Sequence, residues 1–332
     1  MKILHVINSM ETGGAQRLVR DMLPRMAEGN EASVVTLGEC GRNVVERVLG
    51  LRRRFREVDV VHAHLFPSLY LSAIAASGLG VKLVFTEHST SNRRRDKRWM
   101  RFFERWVYGR YNRVVSISEG VRRALLGWLG VDGNERFVVI DNGVDLERFS
   151  SVRVDVEPDS MIMVSRFVPA KDQETVIRAL ALMKSDAVLV LVGDGPGRSR
   201  CEDVAFELGL ADRVRFMGEC SDVAELMAAA RIGVQSSVWE GFGLTAVELM
   251  ACGKPVLGTD VDGLRQVIDG AGLLFKVGDA KALAEMADGL LEDETGYSEV
   301  ATKCRERAEL FDIKKTVNSY LKLYYEVVSG DK

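Results

Sequence analysis

Two glutamates, Glu240 and Glu248, bracket a stretch that reads Glu-Gly-Phe-Gly-Leu-Thr-Ala-Val-Glu. It follows the apolar run 232–235 and ends at Cys252-Gly253-Lys254-Pro255, the punctuation of a strand, a glycine-rich turn and a short helix stopped by Gly and Pro. Gly241 and Gly243 let backbone approach a ligand closely, and the first N–H groups of a helix suit an anion. Glu248 sits in the run 244–251, where only Thr245 is also polar. Its carboxylate therefore needs hydroxyls or other donors as partners. Phosphate at a helix start, with carboxylates for hydroxyls, suits a nucleotide sugar.

Arg166 and Lys171 lie just past another apolar run, in a loop that enters a helix near Gln173. Two cations there can clamp a diphosphate, the guanidinium with paired donors and the ammonium as a point charge. Their task would be to offset charge on a departing diphosphate. Gly13 and Gly14, in Thr12-Gly13-Gly14, follow the first apolar run and precede a helix, so they fit either a tight turn or close approach to a ligand. His88 ends another predicted strand, where it could bind a sugar, assist catalysis or simply pack. His62 and His64 have the spacing of metal ligands, but no third ligand stands near them in sequence, so they are read as structural.

The longer string, Glu240 to Leu244, then Glu248, then Gly253-Lys254-Pro255-Val256, resembles the E-x7-E signature of retaining GT-B glycosyltransferases, most closely glycosyltransferase family 4. The resemblance implies an α/β architecture of two Rossmann-like doubly wound domains facing a central cleft. It assigns Arg166 and Lys171 to the diphosphate, Glu248 to the ribose hydroxyls and Glu240 to the transferred sugar. Gly241, Phe242, Gly243, Leu244 and Thr245 complete the donor contacts, and the strand end at Met217 reads the base through backbone atoms. Gly13 and Gly14 would close over the donor, and His88 would stand near the reacting sugar. Asp260-Val261-Asp262 has the form of a metal motif from a different glycosyltransferase fold, in a loop this family uses without metal. Where many relatives have Glu, this chain has Gln266. Gly193-Asp194-Gly195-Pro196-Gly197 imitates a dinucleotide fingerprint, but Arg198 occupies its last glycine position.

These residues need elements to hold them. Short apolar runs alternate with amphipathic stretches, the pattern of β-α units around parallel sheets. Strands are expected at 2–8, 32–37, 58–63, 82–86, 114–117 and 137–140, then at 161–165, 187–192, 214–217, 232–235, 255–259 and 272–275. The two series define an acceptor-side domain over 1–155 and a nucleotide-sugar domain over 156–312. The helix 313–330 is amphipathic, and in the resembled fold it would return to the first domain.

At 332 residues, 47% hydrophobic and 28% charged, the chain suits two soluble domains. The start reads as a strand rather than a signal peptide, no run has transmembrane length, and five cysteines without a C-x-x-C pair suit a reducing compartment. A cytoplasmic protein is expected. Residues 1–150 hold 24 Lys and Arg against 17 Asp and Glu, whereas 151–332 hold 21 against 31. A basic first half faces something anionic, and without a nucleic-acid motif a membrane surface or phosphorylated acceptor fits best. Residues 93–113 concentrate this charge, with nine basic and six aromatic residues. That composition fits either an interfacial helix or a core helix with a solvated basic face.

The resulting expectation is a retaining transferase that needs no metal or cofactor. It would move a sugar from a nucleotide-sugar donor, UDP-linked by family prevalence, to a glycan or lipid-linked acceptor at the inner membrane face. A nucleotide-sugar epimerase of similar fold and a non-catalytic nucleotide-sugar-binding protein fit the same residues.

Overall fold

The computed structural model describes every residue except Thr12, Ser91, Asn92, Arg98, Asp331 and Lys332, together with the side chains of Arg93 and Arg94. The chain divides into two compact units, Met1–Gly143 with Ile313–Lys332, and Val144–Asp312.

Among the described residues twelve strands form, each within two residues of its expected bounds. The first unit holds β1 (Lys2–Ile7), β2 (Glu31–Thr36), β3 (Val60–His64), β4 (Lys82–Glu87), β5 (Arg113–Ser116) and β6 (Phe137–Val139). The second holds β7 (Ser160–Val164), β8 (Val188–Val192), β9 (Val214–Gly218), β10 (Ile232–Gln235), β11 (Val256–Thr259) and β12 (Leu273–Phe275). All pair in parallel, in the orders β2-β1-β3-β4-β5-β6 and β12-β11-β10-β7-β8-β9. Parallel sheets are covered on both faces, which is why their central strands read as unbroken apolar runs.

In the first unit, Leu4, Val6, Val61, Ala63 and Phe85 face one apolar layer. Ile3, Val60, Val84 and Val115 face another, covered by the helices Gly14–Met26 and Ile313–Ser329. The C-terminal helix brings Val317, Tyr320 and Tyr324 onto that face. The second unit's core gathers Met161, Leu189, Leu191, Val234 and Leu257 under the helices Gln173–Leu182 and Ala280–Glu292.

The division falls at Gly143/Val144 rather than 155/156. Val144 pairs with Asp312, and the short helix Leu146–Ser150 buries Phe149 to 1% exposure within the second unit. Gly143 itself crosses the start of the C-terminal helix, where a Cβ would stand 2.6 Å from the Ile313 Cα.

Candidate functional site

The second sheet reverses direction of build between β7 and β10, which are hydrogen-bonded neighbours. Ligands of open α/β sheets bind beyond the carboxyl ends of strands at such a switch point. Arg166 and Lys171 leave β7 there, and Glu240 leaves β10 there.

The loop after β7 is held in place from two sides. Lys171 lies in the 3₁₀ turn Pro169–Lys171. The Val238 N–H donates to the Ala170 carbonyl at 2.9 Å, and the Ser236 hydroxyl meets the carbonyls of Lys171 and Asp172 at 3.0 and 2.8 Å. Gln173, almost fully buried, donates to the Ser165 hydroxyl and the Arg166 carbonyl, both at 2.9 Å. So fixed, the Lys171 ammonium pairs with Glu240 Oε2, and the Ser237 hydroxyl donates to the same oxygen at 3.2 Å. Arg166 extends into solvent.

Gly243 adopts φ 96°, a left-handed conformation that favours glycine, and a Cβ there would lie 2.6 Å from Leu264 Cδ2. The helix Leu244–Ala251 starts directly after it with no side-chain cap. Thr245 and Glu248, three apart, share a face of this helix. Thr245 is half-buried and Glu248 is 3% exposed. The Phe242 ring is buried edge-on against Phe311 at 5.3 Å, which leaves its backbone as the part that could meet a ligand. Gly241 is also buried, and Met217, on β9, is exposed.

The Gly193–Gly195 loop has a packing explanation. A Cβ at Gly193 would stand 2.2 Å from the Ser165 carbonyl oxygen, and one at Gly195 would stand 2.5 Å from that of Phe167. These glycines let one loop cross beneath another. Asp260 and Asp262 both pair with Arg265, whose guanidinium holds the Asp260 carboxyl below its usual range.

In the first unit, Gly13 precedes the helix Gly14–Met26, and Gly14 is exposed; Thr12, from the same motif, lies outside the described residues. The chain has four histidines and all of them cluster here. His5 on β1 is the strand neighbour of His62 on β3, and His64 that of Thr86 on β4. His5 Nδ1 meets His64 Nε2 at 3.0 Å, and His64 Nδ1 meets His88 Nε2 at 3.2 Å. His62 bonds the Tyr324 hydroxyl at 2.5 Å and Thr86 Oγ1 at 2.7 Å, and Thr86 also bonds the Tyr320 hydroxyl.

Sequence spacing missed His5, the third imidazole beside His62 and His64. The ligand atoms of the three lie within 4.8 Å of one another, a span a metal ion could use. Both nitrogens of His62 are already bonded to hydroxyls, and His5 and His64 bond each other, which makes the trio a hydrogen-bonded core. Burial pulls His5 and His88 down to about 4, and burial with the neighbouring imidazoles holds His62 and His64 well below the usual imidazole range. All four are neutral at pH 7.

Of residues 93–113, the helix Met100–Tyr108 turns Glu104, Val107 and Tyr108 inward. The Tyr70 hydroxyl and Trp128 indole N–H each donate to Glu104 at 2.6 Å. The outward side exposes Trp99, Phe102 and Trp106 at 66%, 74% and 53%, with the Arg110 guanidinium 5.5 Å from the Trp106 ring. Among the described residues no helix is long and apolar enough to cross a membrane.

Two parallel six-stranded sheets with flanking helices, and a site at the switch point of the second, define the GT-B class. The sequence pattern of the glycosyl transferases group 1 matches residues 145–311, and that of glycosyltransferase family 4 matches 38–148. The chain belongs to the glycosyl transferases group 1. The N-acetyl-alpha-D-glucosaminyl L-malate synthase of Bacillus anthracis is 38% identical over 177 residues, 52% of this chain and 46% of that protein. The chain thus spans about half the length of that relative. The putative glycosyltransferase EpsD of Bacillus subtilis is 29% identical over 83% of this chain and 78% of its own length. The crystal structure of Anabaena HepE in complex with UDP superposes with a TM-score of 0.85 at 23% identity, covering 98% of this chain and all of that one.

Proposed function

We propose that the protein transfers a sugar from a nucleotide-sugar donor to a glycan or lipid-linked acceptor, with retention of anomeric configuration. The observation that carries this reading is the ion pair between Lys171 and Glu240 at the switch point of the second sheet. Beside it a glycine-started, uncapped helix carries Glu248.

In this reading Arg166, Lys171 and the N–H groups of residues 243–245 hold the diphosphate. Glu248 takes the ribose hydroxyls, and Glu240 the sugar ring. The strand end at Met217 presents backbone atoms to the base. The bond from the sugar's anomeric carbon to the phosphate oxygen breaks while the acceptor oxygen bonds the same carbon from the same face. The acceptor's proton passes to the departing phosphate. Catalysis rests on positioning and on charge offset by Lys171 and Arg166, with no metal or cofactor. The pairing of Asp260 and Asp262 with Arg265 supports that last point. A uridine donor is favoured by family prevalence, and HepE is a neighbour solved with UDP.

Acceptor choice belongs to the first unit, and the exposed aromatics of the Met100–Tyr108 helix support a peripheral position on the inner face of a membrane.

The test is a thermal-shift series with UDP-, GDP- and ADP-sugars, followed by nucleotide release with and without acceptor in the presence of EDTA. The expected result is a raised midpoint with one nucleotide series and acceptor-dependent release that EDTA leaves unchanged. Proton NMR of the product should show the donor's anomeric configuration. Turnover of the sugar nucleotide without acceptor would favour an epimerase instead. Binding without any turnover would leave only a binding protein.

A further inference from the structure

We infer that His5 and His64 are positioning residues that hold His88 in one tautomer, with its proton on Nδ1, so that His88 presents a hydrogen-bond donor rather than a base. The three rings form one chain, His5 Nδ1 to His64 Nε2 and His64 Nδ1 to His88 Nε2. His5 and His64 are fully buried, whereas His88 is partly open to solvent.

A neutral imidazole donates at one nitrogen and accepts at the other. Two linked contacts among three neutral rings therefore leave two arrangements only. Either every ring carries its proton on Nδ1, or every ring carries it on Nε2. A mixed arrangement would put two protons, or two lone pairs, face to face.

The far end of the chain decides between them. His5 Nε2 is buried and has no hydrogen-bond partner among the described residues. With protons on Nε2, that position would be a buried N–H with nothing to receive it. With protons on Nδ1, it is a bare imine nitrogen. An orphaned buried N–H is the rarer case in folded proteins. So His5 donates from Nδ1 to His64 Nε2, His64 donates from Nδ1 to His88 Nε2, and His88 keeps its own proton on Nδ1.

His62 does not disturb this order, because its two nitrogens are occupied by the hydroxyls of Tyr324 and Thr86. Those hydroxyls belong to a separate branch that reaches the C-terminal helix.

The consequence for transfer rests on the sugar-transfer reading: His88 would give an N–H to a substrate oxygen and take no proton from the acceptor. The tautomer itself does not depend on that reading.

The chain's histidine content makes the test direct, since ¹⁵N-histidine labelling yields four rings only. Long-range ¹H–¹⁵N correlation on the full chain at pH 7, assigned with single His→Gln variants, should show protonated Nδ1 and bare Nε2 for His5, His64 and His88. Nε2–H at His88, or averaged shifts in the wild-type chain, would overturn the proposal. In His5→Phe, His64 loses its donor and the chain its direction. His88 should then show averaged shifts, and kcat should fall about tenfold, the scale of one lost hydrogen bond, with little change in the donor's KM. His5→Asn can place an amide N–H near the Nδ1 position and should restore both. A single Nδ1–H tautomer of His88 that persists in His5→Phe would sink the positioning role. The expected tautomers in a chain that transfers no sugar would refute the transferase reading and leave the histidine chain standing.

Discussion

Lys171 and Glu240, 69 residues apart, form an ion pair at the one place where the second sheet reverses its order of build. Each comes from the loop after its own strand, and the Ser236 hydroxyl and the Val238 N–H tie the two loops together. One cation and one carboxylate thus share one position, and each offsets the other's charge.

Removing the cation should separate chemistry from stability. Lys171→Ala is expected to lower kcat/KM for transfer about 100-fold or more, the scale of one lost transition-state charge contact. The pair keeps only about a fifth of its side-chain exposure, so loss of the cation should also lower the unfolding free energy by about 1–3 kcal/mol, too little to unfold the domain. Steady-state kinetics beside urea melts check both halves. Near-normal transfer by the variant would remove Lys171 from the site.

Gly193 answers to packing rather than phosphate. Gly193→Ala forces a Cβ onto the Ser165 carbonyl oxygen at a residue with φ 125°, and should destabilise the fold by about 2–4 kcal/mol. Nucleotide affinity of the fraction that folds should stay within about threefold of wild type, a margin of roughly 0.7 kcal/mol. Calorimetric melts and nucleotide titration distinguish this outcome from a direct ligand contact, which would weaken affinity without unfolding.

The buried histidines predict an acid-sensitive fold. Folded values of about 4 for His5 and His88 lie below the ordinary 6.5, so between those values the unfolded chain binds protons that the folded chain does not. Stability is therefore complete above pH 6.5 and declines as the pH falls towards 4. Each such histidine adds a slope of up to about 1.4 kcal/mol per pH unit in that window. Urea melts at pH 5, 6 and 7 should show the decline, with a shallower slope in His88→Asn. A flat profile would contradict the burial assigned to these rings.

Membrane contact should depend on aromatics more than on fold. Trp99, Phe102 and Trp106 are mostly exposed, so replacing all three with Ser should leave the melting midpoint nearly unchanged. Co-sedimentation with anionic phosphatidylglycerol vesicles should weaken about tenfold or more, as buried apolar area is lost from the interface. Equal binding by the variant would exclude this face. Neutralising the exposed Arg105 and Arg110 should weaken binding further, by about 1 kcal/mol per charge near the surface.

Much of this was legible in the residues. Alternating apolar runs located all twelve strands, because a strand covered on both faces has to be apolar along its length. Glycine and proline placed the turn before Leu244 and the stop after Ala251, since backbone conformations open to few side chains leave a local mark. The cations after β7 and the carboxylates after β10 were visible for the same reason: each motif is short and follows its own strand.

Partnership was not visible. That β7 neighbours β10 is a property of strand order, and it alone brings Lys171 to Glu240. Strand order also sets β1 and β4 on either side of β3, which joins His5, His64 and His88 across 83 residues of chain. The outward turn of Trp99, Phe102 and Trp106 was open in sequence, because helical spacing shows that residues share a face without showing which way it points. The burial of Glu104 between Tyr70 and Trp128 settles that orientation. Local chemistry follows from local sequence, whereas contacts between distant side chains follow from how the sheets are assembled.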